Sequence, residues 1–343
     1  MSTLLEERPE APRAASARPG TRGPLWLVVR QHRTTLLIGA AVMVAGALAL
    51  IAYRIWAGNL ADDFAATGCD VTGTDRRPDC FTPASDFSDR MYGFDRAVNY
   101  GSYALQFLPG LLAAFVAGPM VARELESGTY RLAWTQSVSP ARWLASKLSP
   151  LAVAVLVLVP PLTAVRAWVA ASVPDNSPYP RTPWHEPTTF VSLGTAPVAY
   201  ALLGIAAGAL VGLLIARTLP AMSAALLAVG GAFLAMNQVR AHLWPSATAT
   251  SPLDGYPRPG GTWWWLDEGL RGADGDRLPD MACSGPYEVQ LRCLAEHGAA
   301  ARYIDLHPAS HFWPLQLVES GIVLALAAAC AFAAFKVLGR RHG

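Results

Sequence analysis

The sequence predicts an all-α integral membrane protein with six transmembrane helices. An interfacial helix precedes the first span, a short helix crosses the inner face between spans two and three, and a large outer loop joins spans five and six. Three observations carry this prediction. Hydrophobic residues make up 52% of the chain and charged residues only 15%, where a soluble domain carries about a quarter charged. The apolar residues fall in blocks of the roughly 20 residues that a bilayer crossing needs. Basic residues and paired cysteines then lie on opposite sides of those blocks.

Residues 1–22 are rich in Pro, Ala and Arg and have no apolar centre. They read as a disordered cytoplasmic tail and not as a secretory signal. Residues 23–343 then form one six-span domain. Its first part, residues 24–34, sets Trp26 and its aliphatic neighbours against Arg30, His32 and Arg33, the pattern of a helix lying on a membrane surface. The spans are expected at about 35–56, 101–122, 148–171, 193–216, 219–240 and 314–337. Pro160-Pro161 falls inside the third, where a kink is expected and neighbouring helices can supply the missing partners. The join around Arg217-Thr218 is so short that spans four and five are antiparallel neighbours. Small residues recur every fourth position at Gly204, Gly208 and Gly212, and at Gly110, Ala114 and Gly118. Such rows let helices approach closely, within one chain or across a dimer.

Orientation follows from Arg and Lys. With the N-terminus inside, residues 1–34 carry six Arg against three Glu, and the end of the chain adds Lys336, Arg340 and Arg341. Outside, residues 57–100 carry eight Asp against four Arg, and residues 245–312 carry nine acids against five Arg. Both termini are therefore expected in the cytoplasm, with the chain crossing the plasma membrane several times. Cys69 and Cys80 share one outer loop, and Cys283 and Cys293 share another, so two local disulfides are expected. The last outer loop holds Trp263-Trp264-Trp265 and is expected to be a small ordered domain, since disordered segments are poor in aromatics.

Most chemistry is missing. There is no G-x-x-x-x-G-K-[ST] phosphate loop, no G-x-S-x-G elbow and no H-E-x-x-H pair. His307 and His311, with Asp305 nearby, lack a third ligand at a diagnostic spacing, so no metal site is expected. No nucleic-acid partner is expected either. Charges near membrane depth are fewer and more telling. Arg54, Arg166 and Arg240 lie near the outer ends of spans and are expected to anchor them at the interface. Glu319 lies farther in, and a short carboxylate reaches the interface poorly. It pairs with one of those arginines or lines a polar path.

The segment between spans two and three is the most structured of the inner loops. It begins Arg123-Glu124-Leu125-Glu126, and Gly128 suits the position just past a helix end. Thr129 suits the N-cap of a short helix from Tyr130 to about Gln136, passing Arg131. Ser139 and Pro140 then suit an N-cap and first helical position, opening a helix through Arg142, Trp143 and Lys147 into span three.

This layout resembles the permease subunit of type-two ABC exporters, over essentially the whole topology. The run Glu126-Ser127-Gly128-Thr129, then Trp134-Thr135-Gln136-Ser137, then Arg142-Trp143 with Lys147, is similar to the actinobacterial branch. So is the approach to the last span, from Pro308 through His311 and Gln316 to Glu319. Pro140 and His311 depart from it, standing where a basic residue and an arginine are expected. The resemblance implies a non-catalytic six-span permease domain over residues 23–343, working as a homodimer or heterodimer among membrane lipids. Two copies of a separate ATPase would hold the ATP and Mg, with no cofactor on this chain. Glu124, Glu126, Gly128, Thr129, Arg131, Gln136, Arg142 and Lys147 would couple the two subunits. The rival readings are an integral-membrane enzyme, for which only Glu319 and scattered serines such as Ser223 and Ser320 are at hand, and a sensory or assembly protein without an ATPase.

Overall fold

The computed structural model describes residues 33–70, 77–130, 139–171 and 182–340. Six helices among them are long and apolar enough to cross a membrane, and each predicted span falls on one of them. The expected N-terminal tail, nearly all of the expected interfacial helix at 24–34, and residues 131–136 of the expected short inner helix lie outside the described residues.

The first two helices are longer than a bilayer requires. Helix α1 spans Arg33–Ala66, and its 34 residues reach ~50 Å against a hydrocarbon core of ~30 Å. Helix α2 spans Phe81–Leu111. Their ends beyond the predicted spans form a helical hairpin, closed by the Cys69–Cys80 disulfide. Met91, Phe94 and Val98 lie on one face of α2 and bury against Ala57, with Tyr53 and Leu60 packed alongside. Phe64 stacks on Phe87 with ring centroids 4.3 Å apart. The expected polar loop after span one is therefore mostly helix.

Helix α2 continues through a π-helical turn, Leu112–Ala117, into α3, Gly118–Ser127. Helix α4, Pro140–Ala170, stays helical through Pro150, Pro160 and Pro161. The Thr163 hydroxyl donates to the Pro160 carbonyl at 2.9 Å. A short helix α5, Pro187–Ser192, precedes α6, Ala196–Ile215, the most buried of the spans. Helix α7, Thr218–Val239, follows at once and packs antiparallel to α6, as the short join predicts.

The glycine row of α6 faces α2 and α3. A Cβ at Gly204 would stand 2.3 Å from the Pro109 carbonyl oxygen. At Gly208 it would stand 2.7 Å from the Ala113 oxygen, and at Gly212 2.7 Å from the Gly118 oxygen. The row thus serves contact within the chain, at the level of the π-helical turn.

The large loop carries a sheet that the fold prediction did not contain. Strands β1, Ala247–Pro252, β2, Trp263–Gly272, β3, Arg277–Leu278, and β4, Ala299–Pro308, pair antiparallel in the order β1-β4-β2-β3. The central strand β4 buries Tyr303, Ile304 and Leu306. Helix α8, Tyr287–Glu296, buries Leu294 and is tied to the preceding segment by the Cys283–Cys293 disulfide. Helix α9, Phe312–Arg340, returns across the bundle against α6.

Gly208→Leu should destabilise the bundle by about 1–3 kcal/mol, because the helix backbones cannot separate without losing the other two contacts. Gly39→Leu, at a position with nothing within 4 Å, should leave the midpoint unchanged. Thermal unfolding of the purified protein in detergent, followed by circular dichroism, measures both.

Candidate functional site

The deepest polar cluster joins α6, α7 and α9. Glu319 and Arg240 are 0% and 1% exposed and form a bidentate pair. Arg240 Nε donates to Oε2 at 2.7 Å and Nη2 donates to Oε1 at 2.9 Å. The Tyr200 hydroxyl donates to the same Oε1 at 2.9 Å. Arg240 Nη1 donates to Asn237 Oδ1 at 3.0 Å, and the guanidinium lies 4.3 Å above the Phe190 ring. Of the two expectations for Glu319, pairing with an arginine is the one observed. One turn earlier on α9, Gln316 accepts from the Ala196 N–H at 3.1 Å and donates to the Phe190 carbonyl at 2.7 Å. Ser320 shares a 2.7 Å hydrogen bond with Thr195. Gln316, Glu319 and Ser320 recur at i, i+3 and i+4, so one face of α9 is a polar seam against the α5–α6 junction.

The other two arginines behave differently from each other. Arg54 lies 4.0 Å over the Trp168 ring, a cation–π contact between α1 and α4. Arg166 is only 2% exposed and donates twice to Ser102 Oγ, at 3.0 and 2.9 Å. The interface-anchor expectation therefore fails for Arg166 and Arg240, which turn into the bundle.

The charged end of α3 is tied to two other helices. Glu124 accepts from Lys147 Nζ at 2.5 Å and from Trp143 Nε1 at 3.1 Å, joining α3 to α4. Glu126 accepts from the Thr218 N–H at 2.9 Å and its hydroxyl at 2.6 Å, joining α3 to the first turn of α7. A carboxylate there also complements the positive end of α7. Gly128 ends α3 at φ 73°, and the Ser139 hydroxyl caps α4 by accepting from Arg142 N at 3.3 Å, both as predicted. Thr129 shares a 3.0 Å hydrogen bond with Ser127, and the Arg142 side chain is exposed. Arg131 and Gln136 lie outside the described residues.

Between α2 and α7 runs an apolar groove of about 610 Å³. Phe107, Leu111 and Phe115 form one wall, and Leu226, Leu227 and Leu234 the other. Gln106 lines it with a buried carbonyl oxygen that has no partner among the described residues. Tyr200 also lines it, so one side chain touches both the groove and the ion pair. Which residues line this groove was not legible in the sequence, because apolar periodicity does not fix the rotation of a helix whose whole surface is apolar.

On the sheet-bearing side, His185 stacks on Trp264 with centroids 5.4 Å apart and an interplanar angle of 3°. Burial holds its pKa below the ordinary histidine value. His307 is fully buried, bonded through Nε2 to the Ala241 carbonyl at 2.9 Å and through Nδ1 to His311 Nδ1 at 3.0 Å. The acceptor at Nε2 places the His307 proton there, so His311 donates to His307. That leaves the pair bonded to each other rather than aimed at a common point. Cys283, Cys293 and His297 also come together, but the two sulfurs form a disulfide and offer no thiolate.

Glu319→Gln should cost about 3–5 kcal/mol in thermal stability, since it leaves the Arg240 charge buried without its counter-charge. The double variant Glu319→Gln with Arg240→Met should recover most of that loss, which a double-mutant cycle of unfolding midpoints measures. His185 should make stability pH-dependent. Its folded pKa is depressed, so the unfolded chain binds more protons, and stability should fall as pH drops below about 6.5. His185→Phe should flatten that fall in an unfolding series from pH 8 to pH 5.

The sequence matches the family described as ABC-2 membrane transporter related over residues 38–240, from the first span to the end of the fifth. No curated protein and no solved structure matches the chain. The match covers more than half of the chain and the helices that hold the groove and the charged segment. Six described helices long and apolar enough to cross a membrane, together with this match, show that the chain is a multi-pass membrane protein belonging to the ABC-2 membrane transporter related family.

Proposed function

We propose that this chain is the non-catalytic permease subunit of an ATP-driven exporter and pairs with a separate ATPase that carries the ATP and Mg. The observation that carries this reading is the double anchorage of the end of α3, which leads into the charged segment. Glu124 ties it to α4 and Glu126 ties it to α7, one wall of the apolar groove. A push on the segment would reach both helices and move that wall against α2. Gly128, Thr129, Arg131, Gln136 and Arg142 would meet the ATPase, while Glu124 and Lys147 would stiffen the support behind them. The absence of any phosphate-binding loop from the sequence fits this division of labour.

The groove would face a second permease subunit, identical or related, and enclose the translocation path between them. Phe107, Leu227 and Leu234 are each more than half exposed on the single chain, which leaves that surface open to a partner or to lipid. An apolar wall with an acceptor at Gln106 that is unpaired among the described residues suits an amphipathic or hydrophobic cargo. Both termini would lie in the cytoplasm. The sheet and both disulfides would then lie outside, where oxidising conditions maintain them.

Co-expression with ATPases from the same genome, followed by purification in detergent, should yield a complex that hydrolyses ATP. Glu126→Ala with Arg131→Ala should insert normally and lose at least about tenfold in ATPase association, the loss of one charge-assisted contact. Failure of every candidate ATPase to co-purify with the unmodified chain would overturn the reading.

A further inference from the structure

Five buried side-chain polar atoms among the described residues have no hydrogen-bond partner, and three belong to residues lining one cavity of about 190 Å³. They are Arg166 Nη1, Trp184 Nε1 and Thr189 Oγ1. The cavity lies on the sheet-bearing side, between α2, the end of α4 and the start of α5, well away from the apolar groove. Buried polar atoms are nearly always paired, so three orphans on one small cavity point to an occupant.

The three groups define its chemistry. Arg166 and Thr189 are 2% and 4% exposed, so neither can turn to bulk solvent. Ser102 accepts from Nε and Nη2 of Arg166 and gives its own proton to the Val98 carbonyl, which holds the guanidinium still and leaves Nη1 as its open edge. An indole N–H can only donate. Two fixed donors, one of them cationic, together with a hydroxyl, match an oxyanion. Asp95 lines the same cavity, and its carboxylate bonds Asn99 at 3.0 Å and Thr182 at 3.3 Å instead of Arg166. Its negative charge favours an occupant with a single negative charge over a dianion.

We propose that this cavity is a binding site for a monoanionic oxyanion, a carboxylate or a phosphodiester. The second could be the headgroup of an anionic lipid, since the cavity sits at the end of a span where headgroups lie. The first would be a free solute or the acidic end of a larger molecule. Several waters would also fit the volume, at about 30 Å³ each, and are the occupant to be tested against.

The test uses the full chain in nanodiscs, with thermal unfolding followed by circular dichroism. In phosphatidylcholine discs, sodium acetate should raise the midpoint saturably, while sodium chloride at equal ionic strength should not. If a lipid phosphodiester is the natural occupant, phosphatidylglycerol discs should raise the midpoint on their own and acetate should add nothing further. Arg166→Gln should weaken acetate binding about tenfold or more, the loss of a charge-assisted contact. Trp184→Phe keeps the ring and removes only the N–H, and should weaken it severalfold even if the Arg166 variant does not fold. No saturable effect of either acetate or phosphatidylglycerol on the unmodified chain would leave water as the occupant and overturn the proposal. So would equal responses from the unmodified chain and the Trp184 variant.

Discussion

A carboxylate and a guanidinium at membrane depth persist only if nearly every polar atom of both is answered. Glu319 and Arg240 meet that condition through a bidentate contact, the Tyr200 hydroxyl, the Asn237 amide and the Phe190 ring. Those partners come from four separate elements, so the pair fixes the rotation of α9 against α6 and α7 far more tightly than apolar contact could. Aliphatic side chains in lipid have no preferred partner, because the tails are as apolar as they are. The polar seam of α9 therefore supplies the specificity, and dispersion contacts supply the bulk.

Close backbone packing is the second constraint, and it supports the first. The α6 glycines let α2 and α3 approach until carbonyl oxygens occupy the space a Cβ would need. Pro109 and the π-helical turn at Leu112–Ala117 both lie at that contact. A π turn admits one extra residue, so it re-aims every side chain beyond it by a fraction of a turn. Phe107 and Leu111 lie before or at its start, Phe115 lies within it, and all three reach the same groove. The turn thus lets one helix present its small residues to α6 and its aromatic residues to the groove.

How much of this was legible follows from the kind of constraint involved. Spans were readable because a bilayer demands an unbroken apolar length, and composition records length directly. Caps were readable because Gly128, Ser139 and Pro140 act through their own backbone. The disulfide partners were readable because each pair shares one short polar stretch. The helical hairpin beyond the membrane was missed although its signal was present, in the spacing of Phe87, Met91, Phe94 and Val98. The net acidity of residues 57–100 concealed it, since acidic stretches read as loops. The sheet was missed for a similar reason: Thr248 and Thr250 alternate with alanine, but Pro and Gly on either side suggested turns. Nothing in the sequence could reveal that Arg166 turns inward while Arg54 turns to an aromatic ring, because that depends on helix rotation.

Helix rotation also separates the roles within the charged segment. Glu124 and Glu126 are two residues apart, so on a helix they point in directions about 200° apart. One therefore reaches α4 and the other reaches α7, and no single neighbour could hold both. This is why a two-residue spacing, which disfavours mutual contact, suits a brace between two helices. The same geometry constrains any partner that binds here. Both carboxylates are already engaged inside the chain, so a docking subunit would have to grip the residues between and beyond them and use the carboxylates as fixed points. On the proposed reading, force then enters through the segment following Gly128 and leaves through Lys147 and Thr218. Through α7 it arrives at the wall of the groove, where Tyr200 stands between the groove and the buried pair. A rigid bond at that far end limits how far α7 can swing without breaking it.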